Sequence, residues 1–235
     1  MGPVFYSVES CIQQFFENLT TATRAECNIK ATSLIGAPVK PMPIQGEWSY
    51  TVTSESSQTD VVQFRAGRSK LNMENINIAM EVHTKDVPKC VYHGEIGGQN
   101  PLSIYTMEKR PGVCYIQARK TEGDSEFERQ QLRTAGDLAR FFAEAWKGAQ
   151  EVTPCHVSNL RQQIEIDLNQ LSQELPARFL RTLTLVREGI PEIFTLPFVI
   201  THGDLNETNI LVDDGYITGV IDWAESTISP FGVSL

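Results

Sequence analysis

The sequence predicts an α+β protein of two lobes: a small antiparallel sheet carrying one helix, then a mainly helical part. Three observations predict it. Alternating and β-branched runs gather before residue 110, apolar residues at helical spacing dominate the middle, and an Asp-Gly hairpin signal returns near the end. The 235 residues suit one large domain or two lobes. At this size about 70–75% of the unfolded chain's surface can be buried.

The elements follow in order. Ile12, Phe15, Phe16 and Leu19 form a one-sided stripe, so a first helix is expected there. A proline-containing connector, GAPVKPMPIQG, comes next. EWSYTVTS (47–54) alternates, DVVQFR (60–65) is short and β-branched, and the polar stretch between them reads as the turn of an antiparallel hairpin. KLNMENINIAMEVH (70–83) places Met73, Ile76 and Met80 on one side of a helix. Residues 91–94 and LSIYTME (102–108) read as further strands.

After KRPGV (109–113) the character becomes helical. Thr134 and Asp137 form a Thr-x-x-acid helix-start signature, followed by Leu138, Phe141, Phe142, Ala145 and Trp146 at i, i+3, i+4, i+7 and i+8. Residues 160–175 and 176–188 give two more helices, the second opened by Pro176. Residues 210–213 and 216–222 flank Asp214-Gly215, a strong hairpin signal. The expected division is 1–108, a sheet lobe with its N-terminal helix, and 109–235, the helical lobe.

Composition narrows the function. The formal net charge of −9, with no basic stripe, argues against nucleic acid and anionic membrane as partners. No apolar run reaches the ~20 residues of a membrane span. The five scattered cysteines include no C-x-x-C pair, and the N-terminus lacks a secretory pattern, so a reducing, cytoplasmic setting is expected. The glycosylation triplets at Asn18 and Asn206 then carry no weight, and Cys155-His156 alone makes no metal site.

The chemistry concentrates in THGDLNETNILVDDGYITGVIDW (201–223). Phosphoryl transfer needs a carboxylate facing the acceptor hydroxyl and hard oxygen ligands for Mg²⁺ on the phosphates. His202-Gly203-Asp204 with Asn209 reproduces the D-x4-N spacing of a kinase catalytic loop. Asp222 lies beside Val220, Ile221 and Trp223, where a bound cation would compensate its charge. The reading against this is that Asp204 and Asn209 cap turns and that Asp222 pairs with a buried arginine.

These blocks, HGDLNETNILVD and GVIDW, resemble the aminoglycoside phosphotransferase family and its choline-kinase-like relatives. The resemblance implies the bilobal protein-kinase-like fold with 1–108 as its nucleotide-binding lobe, ATP and Mg²⁺ as cofactors, and transfer of the γ-phosphate to a hydroxyl of a small molecule. It implies Asp204 as the catalytic base, His202 as the loop brace, and Asn209 and Asp222 as the Mg²⁺ ligands. It places Gly46 in the nucleotide-covering loop and Gln63 at the phosphate-binding slot of its strand, with Arg65, two residues on and on the same face, as the substitute. Glu74 or Glu81 would be the partner acid on the next helix, Glu74 being nearer the usual place. Met107 and Glu108 would offer backbone groups to adenine. The SYTV, VVQFR and HGDLN blocks resemble fungal-type members. Family members continue past the Asp222 position with further helices, so the chain reads as C-terminally truncated, with self-association through an exposed face of the helical lobe as the expected consequence. The alternative function is a kinase-like binding or interaction protein without catalysis. The acceptor's identity is not written in these residues.

Overall fold

Strand pairing begins where the alternation does. In the computed structural model, which describes residues 7–54, 60–118 and 125–233, helices α1 (Val8–Asn18) and α2 (Arg24–Ile35) precede strands β1 (Val39–Pro41), β2 (Ser49–Ser54) and β3 (Asp60–Arg65). After α3 (Met73–Val82) come β4 (Cys90–Ile96) and β5 (Leu102–Glu108). The five strands form one antiparallel sheet in the order β1-β2-β3-β5-β4. The hairpin turn predicted at 54–59 lies mostly outside the described residues.

The period of two divides this sheet into two faces. Tyr50, Val52, Val62, Phe64, Leu102 and Ile104 point to one face and are buried under Ile12, Phe15, Cys27 and Ala31 of α1 and α2. The opposite face carries Gln63, Arg65 and Tyr105, and Tyr105 joins a second core with α3 and the later half of the chain. So the sheet has a two-helix roof as well as α3, where one inserted helix and an N-terminal one were expected. α2 had a legible signal: Thr23 and Glu26 form a reciprocal capping box, and Gly36 closes the helix at φ +77°.

The second half runs through β6 (Val113–Cys114), α4 (Tyr115–Ala118), α5 (Ser125–Lys147), α6 (Pro154–Glu174) and α7 (Leu180–Ile193) to β7 (Phe198–Thr201), β8 (Ile210–Asp213), β9 (Tyr216–Val220) and β10 (Thr227–Pro230). β6, β8 and β9 make one antiparallel ribbon, and β7 and β10 another. The β8–β9 turn puts Asp214 at φ 49° and Gly215 at φ 79°, the left-handed pair that the Asp-Gly signal demands.

α5 corrects one expectation. It starts at Ser125, so Thr134 and Asp137 lie inside the helix rather than at its start. Their polar atoms dock the hairpin instead. The Thr134 hydroxyl contacts Gly215 O at 2.7 Å, and Asp137 Oδ2 accepts from the Ile217 amide at 2.9 Å. α6 begins six residues earlier than expected, capped by Thr153. Pro176 precedes a 3₁₀ turn, Ala177–Phe179, that leads into α7. Among the described residues no helix is long and apolar enough to cross a membrane.

The two halves meet along a shared core in which Leu71, Ile76 and Tyr105 pack with Phe141, Val220 and Trp223. Beneath it lies a polar tie. Asp86, 1% exposed, accepts both arms of Arg140 at 2.9 and 3.2 Å, and its carbonyl receives the Val220 amide at 2.7 Å.

Candidate active site

The loop from His202 to Asn209 connects β7 to β8, and its own side chains shape it. Asp204's backbone N–H donates to His202 Nδ1 (3.3 Å), which leaves Nε2 as the protonated nitrogen donating to Ile221 O (2.8 Å). Burial holds the His202 imidazole below its ordinary 6.5, so it is neutral at pH 7. Gly203 sits at φ +81°, and a Cβ there would stand 2.1 Å from Glu225 O. Only glycine lets the loop pass this close to the turn after Asp222.

Asp204 is exposed, and two amides orient it. Asn209 Nδ2 donates to Asp204 O at 2.8 Å and Oδ2 at 3.1 Å, and Asn206 Nδ2 donates to Oδ1 at 3.0 Å. Asn206 Oδ1 accepts the Thr208 amide at 2.9 Å, an Asx turn that sets the loop's second half. Asn206 was missed as a site residue; its side-chain role was hidden behind a glycosylation triplet.

Asp222 follows β9 in the left-handed conformation, φ 65° and ψ 59°, and opens the 3₁₀ turn Trp223–Glu225. The adjoining Ile221 amide donates to Asn209 O at 2.9 Å, so the backbone places Asp222 beside the loop. Its side chain is turned to the other half of the protein. Asp222 Oδ1 accepts from Arg65 Nη2 at 2.7 Å.

Arg65 is 4% exposed and held on three acceptors: Ser69 O at 2.7 Å, Gln63 Oε1 at 2.8 Å and Asp222. The Gln63 amide nitrogen lies 3.4 Å from Ser49 Oγ and 3.2 Å from Thr51 Oγ1. Gln63 thus presents its oxygen to Arg65. The chain also brings α3 to the Asp222 turn through a residue not foreseen: Asn75 Nδ2 donates to Ser226 O at 2.7 Å.

Other expected residues are placed differently. Glu74 lies in the first turn of α3 and Glu81 in its last; both are exposed, and among the described residues neither makes an ion pair, so the structure does not bring Glu74 to Arg65. Met107 lines a small cleft with Arg65, Leu71, Val87, Ile221 and Asp222. Glu108 donates its amide to Lys89 O at 3.0 Å, so that N–H is already engaged within the chain. Gly46 sits in a loop pinned by Gln45, whose side chain bonds Met42 O, Thr51 O and the Thr51 amide.

The donor set is hard oxygen. Asn209 directs Nδ2 at Asp204, so its Oδ1, 3.4 Å from the Thr208 hydroxyl, is the atom that could meet a cation, and Asp222 would add a carboxylate. Among the described residues no three His, Cys, Asp or Glu side chains cluster tightly enough to hold a metal alone. One or two carboxylates completed by phosphates and water is the kind of site Mg²⁺ accepts.

Comparison with known proteins decides the family. A model described as the phosphotransferase enzyme family (APH) matches residues 50–233. The chain belongs to the phosphotransferase enzyme family. The match runs from β2 of the sheet lobe through the Asp204–Asp222 blocks. Among solved structures, this phosphotransferase chain is similar to wild-type aminoglycoside 2'-phosphotransferase-IIIa in its GDP complex: 18% identity, 88% of this chain and 75% of that one covered, TM-score 0.59. It is similar to APH(2")-IIa in a ternary complex with streptomycin and ATP, at 18% identity, 88% and 73% coverage and TM-score 0.53. A thermostable mutant of APH(4)-Ia, in a ternary complex with AMP-PNP and hygromycin B, matches at 14% identity, 88% and 73% coverage and TM-score 0.54. At these identities the likeness establishes the fold, an α+β protein-kinase-like architecture. No curated protein matches the chain.

Proposed function

We propose that this phosphotransferase moves the γ-phosphate of ATP to a hydroxyl of a small molecule, with Asp204 as the group that orients and deprotonates the acceptor. The observation that carries this is the junction of Asp204, Asn209 and the Asp222 backbone in one loop-and-turn unit, facing Arg65 of the sheet lobe. The lobes divide at Glu108–Lys109, and the nucleotide lies in the cleft between them, against Met107 and beneath the Gly46 loop.

Each residue then has a task. His202 braces the loop against Ile221 O, and Asn206 and Asn209 hold the Asp204 carboxylate toward the acceptor. Arg65 meets the phosphates, while Gln63, whose oxygen is committed to the guanidinium, orients Arg65. Asn209 and Asp222 hold Mg²⁺, whose charge, when it is bound, offsets that developing on the transferring phosphate. Solved relatives bound to ATP, AMP-PNP or GDP, with streptomycin or hygromycin B in two of them, support a nucleotide and a hydroxylated acceptor. We also assign the protein to the cytoplasm, consistent with five free cysteines, of which burial pushes the Cys27 and Cys90 thiols up to about 12.

The test is release of ADP from ATP against a panel of aminoglycosides and simpler alcohols. Asp204→Ala should lower the transfer rate by roughly 10²–10⁴ while ATP still binds. A second reading, nucleotide binding without transfer, is favoured by the α3 acids that make no ion pair with Arg65. Tight ATP binding with no acceptor-dependent ADP release from any member of the panel would select it.

A further inference from the structure

On the phosphotransferase reading, the Asp222 carboxylate would serve two cations, Arg65 and a divalent metal ion. Asp222 is half exposed and strained, and its Oδ1 lies 2.7 Å from a guanidinium that two other acceptors already fix in place. A divalent cation must approach the same carboxylate to about 2.0–2.1 Å, and it would then stand within a few ångströms of Arg65's positive charge. Among the described residues, neither α3 glutamate pairs with Arg65, so no acid on that helix draws it off Asp222. The anion that can do so comes from outside the chain. Three of the five guanidinium N–H groups are engaged, which leaves two for phosphate oxygens.

We propose that Arg65 is a latch coupling the two ligands of the site: it withholds Asp222 from a divalent cation until the phosphates of a nucleotide take over the guanidinium. The proposal rests on the phosphotransferase reading above and adds an order to it. Free cation binds weakly by itself, metal-free nucleotide binds weakly by itself, and each strengthens the other by the same factor.

The test uses Mn²⁺ alone, counted by its electron paramagnetic resonance signal, and ADP alone in EDTA. Arg65→Gln should bind free Mn²⁺ about tenfold tighter than the unaltered protein, in the ordinary range of coupling between sites, and should bind metal-free ADP more weakly. A purely structural role for Arg65 would weaken both. Unchanged or weaker Mn²⁺ binding in Arg65→Gln would overturn the latch.

Asp222→Asn gives an independent reading, because the side chain is half exposed and its replacement keeps the shape. It should lose Mn²⁺ and gain affinity for metal-free ADP, by more than Asp204→Asn, which removes a charge without releasing Arg65. Equal gains in the two asparagine variants would reject the latch even if Arg65→Gln did not fold. Full Mn²⁺ affinity in Asp222→Asn would instead reject Asp222 as a ligand, so failure of the parent reading is told apart from failure of the latch.

Discussion

Gly203 shows how little freedom the site has at the scale of one residue. Its φ of +81° excludes ordinary side chains, and the Glu225 carbonyl fills the space a Cβ would need. Gly203→Ala should therefore lower stability by roughly 1–3 kcal/mol from backbone strain alone, and should also remove activity, because the loop must shift off Glu225. Thermal melts and ADP release check this together; a variant with wild-type melting and turnover would contradict the close approach. Protonation is the other residue-scale lever. His202 and His83 are both pulled below their ordinary 6.5, chiefly by burial. Their folded-state values lie below the unfolded ones, so the unfolded chain binds more protons in acid. Stability from these groups is complete above about 6.5 and declines as pH falls below it. His83 is stacked on Phe141 at 3.9 Å, and Glu144 at 3.5 Å partly opposes the shift. His83→Phe keeps a stacked ring without the titration, so its melting temperature should fall less between pH 7 and 5 than that of the unaltered protein.

At the scale of elements, strands and helices read differently from sequence. The spans 60–65 and 102–108 were legible to the residue, because alternation and β-branching set a strand's faces locally. The β8–β9 hairpin was legible from two turn residues. The body of α5 was legible from Leu138, Phe141, Phe142, Ala145 and Trp146, but its start at Ser125 was not, because a Thr-x-x-acid pattern looks the same whether it caps a helix or docks a neighbour. Here Gly215 packs so closely on α5 that a Cβ would lie 2.5 Å from Gln130 Cα. Thr134 is 2% exposed and contacts Gly215 O, so Thr134→Val leaves that carbonyl without its hydroxyl partner. The expected loss is about 1–2 kcal/mol, read as a lower urea midpoint at unchanged slope. A shift toward greater stability would mean that the hydroxyl does not hold the hairpin.

At the scale of the whole molecule, the two halves are joined by contacts that no single element contains. Asp86, on the turn after α3, is buried against Arg140 of α5. Arg140→Met removes the guanidinium and leaves that carboxylate uncompensated. Arg140 is itself about one-third exposed, so the expected loss is about 2–3 kcal/mol, less than for a fully buried pair. A urea melt within 0.5 kcal/mol of the unaltered protein, about the ordinary scatter of surface substitutions, would show that Asp86 finds another partner. α6 exposes Ile166 and Leu171 and α7 exposes Leu185 and Val186, and we propose self-association through these two helices. Light scattering should show mass rising with concentration and Leu185→Glu suppressing the rise; a constant monomer mass would remove the proposal.

By itself the sequence determined the two-lobed α+β plan and the spacing of Asp204, Asn209 and Asp222, because periodicity, turn chemistry and loop spacing act between near neighbours in the chain. It also put Gln63 and Arg65 on one face of a strand. Only the tertiary structure decided which acid Arg65 meets. The partner is Asp222, 157 residues away, rather than Glu74 on the next helix. An ion pair is a competition settled by distance and burial, and sequence separation carries neither.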